Sequence, residues 1–310
     1  MEFKGDAPVF VIGGVNMDIS GTPDAKLITG DSNPGKVAVS PGGVGRNIAE
    51  NLCRLGRRVS LITVLGNDAY AEVIRRHCLN IGIDLSCSIT DPMGSTSTYL
   101  CLNEQDGDLH AAIADMRICD QLTPALLEPL LPKLNSGSML ITDANIPEET
   151  LAWIAGHVTI PIAADPVSAA KASRLRPLLH RLAFLKPNIQ EAKILAGMEP
   201  DGPVSLSCIT DALHGLGVSR VYLSLGPDGV WADDGKEGAM LPAVTGQVIN
   251  TSGCGDAFVA AAADAFLLGC GTMDCARRGL AAAAICAESR EAVNPEISQE
   301  TMDRKLRSGE

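Results

Sequence analysis

Aromatic residues are nearly missing from this sequence, with two Trp, three Tyr and five Phe in 310 residues. A core must therefore come from Ala, Val, Ile and Leu, a composition suited to a parallel sheet covered by helices. Long apolar runs are missing too. None reaches the roughly 18 residues that suggest a membrane span, and the longest, Ala257 to Leu268, is interrupted by Asp264. The N-terminus does not read as a secretory signal, because Glu2, Lys4 and Asp6 precede only a brief apolar strand. Positive charge is in deficit: the net charge of −12 argues against a nucleic-acid backbone as partner, although a local site can still oppose it for an anionic substrate. Ten cysteines are present but no C-x-x-C pair, so no zinc site is assigned and the thiols read as reduced and mostly buried. The expectation is a soluble, cytoplasmic protein with neither nucleic acid nor membrane as partner.

Two nucleotide-binding signatures are absent. Gly13-Gly14 follows the apolar strand Val9 to Ile12, but no G-x-G-x-x-G is completed and Asn16, Met17 and Asp18 continue extended. Gly229 to Lys236 approaches a P-loop with the wrong spacing, and Glu237 stands where Ser or Thr is required. Asp233-Asp234-Gly235-Lys236 reads better as an exposed hairpin turn. No protein-kinase motif set is present.

What is there is a βα rhythm with two β-rich interruptions. Pro41 to Asn47 (PGGVGRN) opens an amphipathic helix carrying Ile48, Leu52 and Leu55 on one side. Strand Val59 to Val64 and helix Ala69 to Leu79 follow. After the second interruption come helix Pro124 to Leu131, strand Ser138 to Thr142, helix Glu148 to Ala155 and strand Ile160 to Ala164. Strands Leu182 to Leu185 and Val221 to Leu225 continue the series, each running into a polar turn. The interruptions, about residues 17–40 and 93–117, contain short strands such as Ser97 to Leu102 and Leu109 to Ile113, joined at the hairpin signal Asp106-Gly107. They are expected to pair into one small sheet, a lid over a core formed by residues 1–16, 41–92 and 118–310.

The segment Asn250 to Phe258 (NTSGCGDAF) carries the chemistry. A glycine turn opening a helix offers free N–H groups and the positive end of the helix dipole to an anion. A carboxylate on the first turn, Asp256, adds a proton acceptor, and the two together are what phosphoryl transfer to a hydroxyl requires. Spacing alone also allows an ordinary helix start in which Asp256 favours the dipole.

PGGVGRN and NTSGCGDAF, with Asn16 and Asp18 after the first strand, KPNIQE (Lys186 to Glu191) and SLGPDG (Ser224 to Gly229), occur in an order and spacing that resembles the ribokinase-like (PfkB) carbohydrate and nucleoside kinases over essentially the full length. The resemblance implies a three-layer α/β/α fold with a central mostly parallel sheet and a small β-sheet lid. It implies that Asp256 is the catalytic base and that Gly253, Cys254 and Gly255 form the anion hole, with Cys254 where alanine is usual. Asn188 and Glu191 would order Mg2+ through its waters. Asn188, Ser224, Gly226, Gly229 and Thr251 would bind ATP, and Asp18, Gly42, Gly43 and Asn47 the sugar hydroxyls, with Asn16 and Asn145 as further candidates. Asn250 stands where the family usually has Asp, a loss of charge that bears on activation by a monovalent cation (K+). Lid sheets in this family often pair between two subunits, which implies a homodimer.

Substrate identity is expected to rest with the lid. DSNPGK (Asp31 to Lys36) before PGGVGRN, together with DPVSAAK (Asp165 to Lys171) and the Ala114-Asp115-Met116 region, resembles the pseudouridine kinases in particular. The resemblance implies ATP-dependent phosphorylation of the pseudouridine 5′-hydroxyl, with acceptors on Asp31, Ser32 or Asn33 reading the extra ring N–H. Another sugar or nucleoside kinase of the same family is the alternative, and a ligand-sensing protein without transfer activity is a third reading.

Overall fold

A computed structural model describes residues 7–106, 108–199 and 202–308. Glu2, Lys4, Asp6 and Gly107 lie outside the described residues, and with them the reading of the N-terminus and half of the Asp106-Gly107 signal. Strands are numbered in chain order. The main sheet comprises β1 (Val9–Ile12), β4 (Val59–Ile62), β9 (Met139–Asp143), β10 (Ile162–Asp165), β11 (Leu182–Leu185), β12 (Val221–Ser224), β13 (Val230–Asp233) and β14 (Gly238–Leu241). Their spatial order is β14-β13-β12-β11-β10-β9-β1-β4. The six strands from β12 to β4 are parallel, whereas β13 and β14 form an antiparallel edge. β1, β4 and β9 are buried on both faces, as expected when helices cover a parallel sheet from both sides. The apolar side chains divide accordingly, with Val9 and Val11 in one core layer and Phe10 and Ile12 in the other.

The scarcity of aromatics shows in how helices pack. The helix Cys254–Leu267 lies against the helix Thr272–Ala287 through Ala257, Ala261, Ala281 and Ala282, since small side chains permit a close approach. Phenylalanine and tyrosine rings meet in one place, where Tyr222 meets Phe184 edge-on and packs against Phe258.

A second sheet contains β2 (Asn16–Pro23), β3 (Gly35–Gly42), β7 (Thr98–Asn103) and β8 (Leu109–Asp115) in the order β3-β2-β7-β8. The two β-rich interruptions do pair, β2 running parallel to β7. β2 begins at Asn16 and β3 continues to Gly42, so the sheet reaches slightly past residues 17–40 at both ends. Ile19 lies opposite Val39 and Leu100, and Leu100 opposite Ile113. One face therefore gathers Val37, Val39, Leu100, Leu102 and Ile113, all exposed, Val37 by 72% and Ile113 by 68%. The other face carries Asp18, Ser40, Tyr99 and Ala114. A minor pair, β5 (Val64–Leu65) and β6 (Ile89–Thr90), completes the strands among the described residues.

Several expected boundaries shift for local reasons. The expected helix Pro124 to Leu131 is broken into Pro124–Leu127, a 3-10 turn at Glu128–Leu130 and Leu131–Leu134, because Pro129 and Pro132 cannot donate backbone hydrogen bonds. Strand β10 starts at Ile162 rather than Ile160, after Pro161. The strand expected over Val59 to Val64 ends at Ile62, and Val64 pairs with Ile89 in the minor sheet instead. The Asp233 to Lys236 turn does join two antiparallel strands.

Candidate active site

The carboxyl ends of β1, β9, β10, β11 and β12 face one edge of the main sheet, where an open α/β sheet collects ligands. Around that edge lie Gly13-Gly14, Asp143, Asp165, Lys186 and Ser224. The helix starting at Cys254 points its N-terminus at the same place. Its cap, Gly253, has φ 79, a left-handed conformation that glycine adopts without strain. An added Cβ there would lie 1.8 Å from Ala292 O. The helix starts three residues earlier than its alanine run suggests, so Gly255 and Asp256 belong to its first turn, where N–H groups lack intrahelical acceptors.

Asp256 is 7% exposed, and its Oδ2 accepts a hydrogen bond from Asn47 Nδ2 at 2.7 Å. Burial, reinforced by the charge of Asp165, pushes its carboxyl up to about 7, against the opposing effects of Asn47 and Lys186. A carboxylate poised near neutrality suits a general base. Asn47 is itself held from behind: the buried Arg46 donates to Asn47 Oδ1 and pairs with Glu50. That pairing, together with His77 and Arg54, outweighs burial and brings Glu50 down to about 2.

Lys186 sits at the centre of the acids. Its Nζ is 3.2 Å from Asp165 Oδ2, and an added Cβ at Gly255 would lie 2.6 Å from it. The ammonium therefore lies beside the first turn of the helix. Burial works against its charge, but Asp165, Asp256 and Glu191 together raise its pKa. Asp143 is fully buried and pushed up to about 6 by burial, although it accepts hydrogen bonds from the N–H groups of Gly14 and Asn145, both at 2.8 Å.

On the side of the second sheet, Asp18 accepts from Asn16 Nδ2 at 2.5 Å and lies directly over the backbone of Gly42, where an added Cβ would fall 2.1 Å from its Oδ2. Burial raises its pKa, with Asn16 and the Arg46 charge opposing. Gly43 (φ 96) begins the helix Val44–Arg54 and packs its backbone against Gly14 and Val15. The Gly13-Gly14 pair thus serves close packing: a Cβ at Gly13 would strike Asp143, and one at Gly14 would strike Asn145. Asn145 is buried and accepts from Lys171 Nζ at 2.6 Å.

Asn188 and Glu191 form a capping box, in which Glu191 N donates to Asn188 Oδ1 at 2.9 Å and Asn188 N to Glu191 Oε2 at 2.8 Å. The ordinary helix-start role of these residues is thus present, and it leaves Glu191 beside Lys186, its pKa raised chiefly by burial. No cluster of three or more His, Cys, Asp or Glu able to hold a metal occurs among the described residues. The donors at this edge fit a cation that keeps most of its waters and leans on substrate phosphates, as Mg2+ does. Ser224 Oγ donates to Pro187 O at 3.1 Å, which ties the end of β12 to the Asn188 turn. Gly226 (φ 61) and Gly229 (φ 104) shape the following turn, and Thr251 O accepts from Cys254 N at 3.3 Å. Asn250 accepts from Ser252 N at 2.9 Å and donates to Arg290 O at 3.0 Å, so its amide braces the loop.

Asp31, Ser32 and Asn33 stand apart. They lie on the turn between β2 and β3, where Asn33 bonds to Ile28 and Asp31 and the Asp31 carboxylate accepts from Ser32 N. None of their hydrogen bonds among the described residues reaches Asp18, Asn47 or Asp256. Conversely, Lys186, Asp165, Asp143 and Arg46 were not assigned from sequence. Asp165 was visible as a strand-end acid and Lys186 as part of KPNIQE, but nothing local marks them as a pair.

The chain matches the model of the pfkB family carbohydrate kinases over residues 6–299. It is 34% identical to the pseudouridine kinase of Escherichia coli over 293 residues, which cover 94% of this chain and 93% of that protein. It is also 34% identical to an uncharacterized sugar kinase of E. coli, YeiI, over 93% of this chain and 80% of the relative. A ribokinase from Thermotoga maritima superposes with a TM-score of 0.86 at 24% identity, covering 97% of this chain and 99% of that one, a likeness of fold. With the ribokinase fold and a full-length family match, this chain belongs to the pfkB family of carbohydrate kinases and is an ATP-dependent kinase.

Proposed function

We propose that this protein transfers the γ-phosphoryl group of ATP to the 5′-hydroxyl of pseudouridine, giving pseudouridine 5′-phosphate and ADP. The observation that carries the transfer chemistry is Asp256, buried at the N-terminus of its helix, bonded to Asn47 and titrating near neutrality. Asp256 would take the hydroxyl proton as the oxygen attacks in line. The N–H groups of Gly253, Cys254 and Gly255 would receive the charge of the phosphoryl group, and Lys186 beside them adds a fixed positive charge. Asp18, Gly42, Gly43 and Asn47 are assigned to the ribose, with Asn16 and Asn145 as further candidates. Asn188, Ser224, Gly226, Gly229 and Thr251 are assigned to the nucleotide. Mg2+ would be held through waters by Asn188 and Glu191 and would neutralise phosphate charge. Asn250 brings no charge to its loop, so K+ could draw only on uncharged oxygens there.

The second sheet, residues 17–40 and 93–117, is proposed as the lid over the ribose. Its exposed apolar face supports pairing with the same face of a second copy, since patches of this kind are normally covered. No helix among the described residues is long and apolar enough to cross a membrane, and we place the enzyme in the cytoplasm. Base reading by Asp31, Ser32 and Asn33 requires their turn to give up its internal bonds when substrate enters.

The choice of pseudouridine rests on the relative of that name, matched over nearly the whole of both chains. The equal identity to YeiI favours one second reading, a sugar kinase. ADP release with pseudouridine, uridine, ribose and fructose as acceptors separates the two. Pseudouridine should be turned over far faster than uridine, and strong turnover of a free sugar with none of pseudouridine would overturn the assignment.

A further inference from the structure

Arg46 lies on the first turn of the helix Val44–Arg54 and is only 3% exposed. Its guanidinium is divided between two partners: Nη1 donates to Glu50 Oε2 and Nη2 to Asn47 Oδ1. Its Nε is buried and has no hydrogen-bond partner among the described residues. Glu50 is anchored in turn. Its Oε1 accepts from Arg54 Nε at 2.9 Å and Nη2 at 2.7 Å, and its Oε2 lies 3.0 Å from His77 Nε2. A buried ion pair gains little net stability once its charges have left water, and an unmet buried N–H is a further cost. Stability is therefore a poor reason for burying this arginine.

What the arrangement does is visible at Asn47. Guanidinium nitrogens only donate, so the Asn47 amide must turn its oxygen toward Arg46. Its Nδ2 is then left facing Asp256, and donates to Oδ2 at 2.7 Å. The Asn47 main chain is fixed as well, its N–H bonded to Gly43 O at 2.9 Å and its carbonyl to Asn51 Nδ2 at 2.8 Å.

We propose that Arg46, anchored by Glu50, is a positioning residue for phosphoryl transfer: it locks the Asn47 amide with its N–H toward Asp256 and so favours the ionised carboxylate that accepts the hydroxyl proton. This role rests on the reading of Asp256 as the base. An amide can present either edge to a carboxyl group. Its N–H pairs with a carboxylate, whereas its oxygen pairs with the protonated acid. With Arg46 in place, only the first orientation keeps both bonds of the Asn47 amide. Without Arg46 the flipped amide opens as an alternative, and it holds Asp256 in the protonated, idle form. Other ionisable groups face the pair. Asp165, Asp143 and Lys186 surround Asp256 from the strand ends, and Cys254 from its own helix. Around Arg46 stand Glu50 on its own helix, His77 and Cys78 on the helix Ala69–Ile81, and Asp18 on β2. Among the described residues, the Asn47 amide oxygen accepts from Arg46 alone.

The test records the pH dependence of kcat from ADP release between pH 6 and pH 9, with whichever acceptor the panel above turns over fastest. Arg46→Met combined with Glu50→Gln removes the donor without stranding a buried carboxylate. The rising limb, near pH 7 in the wild type, should move up by about one pH unit. Turnover would then be about fivefold below wild type at pH 7 and nearly equal to it at pH 9. Arg46→Lys, which keeps a charged donor, should bring the limb back toward its wild-type position. If the first double variant does not fold, Arg46→Leu with Glu50→Leu serves, since an apolar pair often replaces a buried ion pair without loss of stability. A wild-type limb that these variants leave in place, or a loss of equal size at every pH, overturns the proposal. A flat wild-type profile removes the base assignment and this role with it. Nitrogen-15 NMR of the wild-type protein without ligands needs no acceptor. The Asn47 side-chain amide, identified by its absence in Asn47→Ser, should shift as Asp256 titrates near pH 7, and an amide indifferent to pH from 5 to 9 would also overturn the proposal.

Discussion

Replacing Asp256 with Asn should make the protein more stable and nearly inactive at once. Folding raises the Asp256 pKa from 3.8 to about 7. At about 1.4 kcal/mol per pK unit, holding this carboxylate charged at pH 8 costs on the order of 4 kcal/mol. Asn carries no charge, keeps nearly the same shape, and can accept from Asn47 through its amide oxygen. Part of the gain is lost because Lys186 then faces Asp165 and Glu191 without Asp256. A net rise of several degrees in melting temperature at pH 8 remains, at about 2–4 °C per kcal/mol for chains of comparable size. The sign with pH follows from linkage. The folded form binds the proton more tightly than the unfolded chain, so the penalty is absent below about 4, grows between 4 and 7, and is constant above. The advantage of Asp256→Asn should therefore shrink as pH falls from 7 toward 4. Turnover should fall by about 10²–10⁴, the range for removing a general base, while acceptor affinity by calorimetry stays within a few-fold. Unaltered turnover would remove the base assignment. A melting temperature lower than wild type at pH 8 would refute the claim that burial strains this carboxylate.

Turnover of the wild-type enzyme should rise about tenfold between pH 6 and pH 8 as Asp256 loses its proton around 7, and a flat profile at saturating ATP contradicts this. Asp165→Asn removes the neighbouring charge that raises the Asp256 pKa, so the same limb should move to lower pH; a move to higher pH would show that loss of Asp165 acts mainly by releasing Lys186. Gly253→Ala should be poorly folded or inactive, because φ 79 and the 1.8 Å approach to Ala292 O leave no room for a methyl group; normal activity and melting would mean the turn is softer than drawn. Val39→Lys with Leu100→Lys should convert a dimer to monomer in light scattering without changing the fold, and an unchanged mass would place the subunit contact elsewhere.

How much of this was legible in the sequence depends on how local each feature is. The glycine turn before Asp256 could be read because all its parts lie within a few residues. Asn188 and Glu191 could be read too, as residues that the resemblance assigns to Mg2+, and the capping box shows that the same side chains also start a helix. Asp165 and Lys186 close the end of the sheet from adjacent strands. Their contact depends on the register of β10 against β11, which a one-dimensional pattern does not contain. Arg46 lies within PGGVGRN, yet nothing there marks it as buried, since a buried Arg looks like any surface Arg until Glu50 and Asn47 are seen around it. Asp31 and Asn33 illustrate the converse: side chains that resemblance assigns to a ligand hold hydrogen bonds within their own turn.

The way β2 leaves the main body has a mechanical consequence. It starts at Asn16, one residue after the buried Val15, and runs outward to Pro23 beside β3, which returns to Gly42. At about 3.3 Å per residue, Asp18 stands about 7 Å from that root and Pro23 about 23 Å. Any rotation of the outer sheet about its root therefore moves the rim about three times as far as it moves Asp18. The entrance could gape by several ångströms while Asp18, the carboxylate proposed to meet the ribose, shifted by a fraction of that. On the proposed assignment, a gearing of this kind would keep the sugar gripped while the rim sampled what is attached to it, so that grip and rim could be altered by substitution independently of one another.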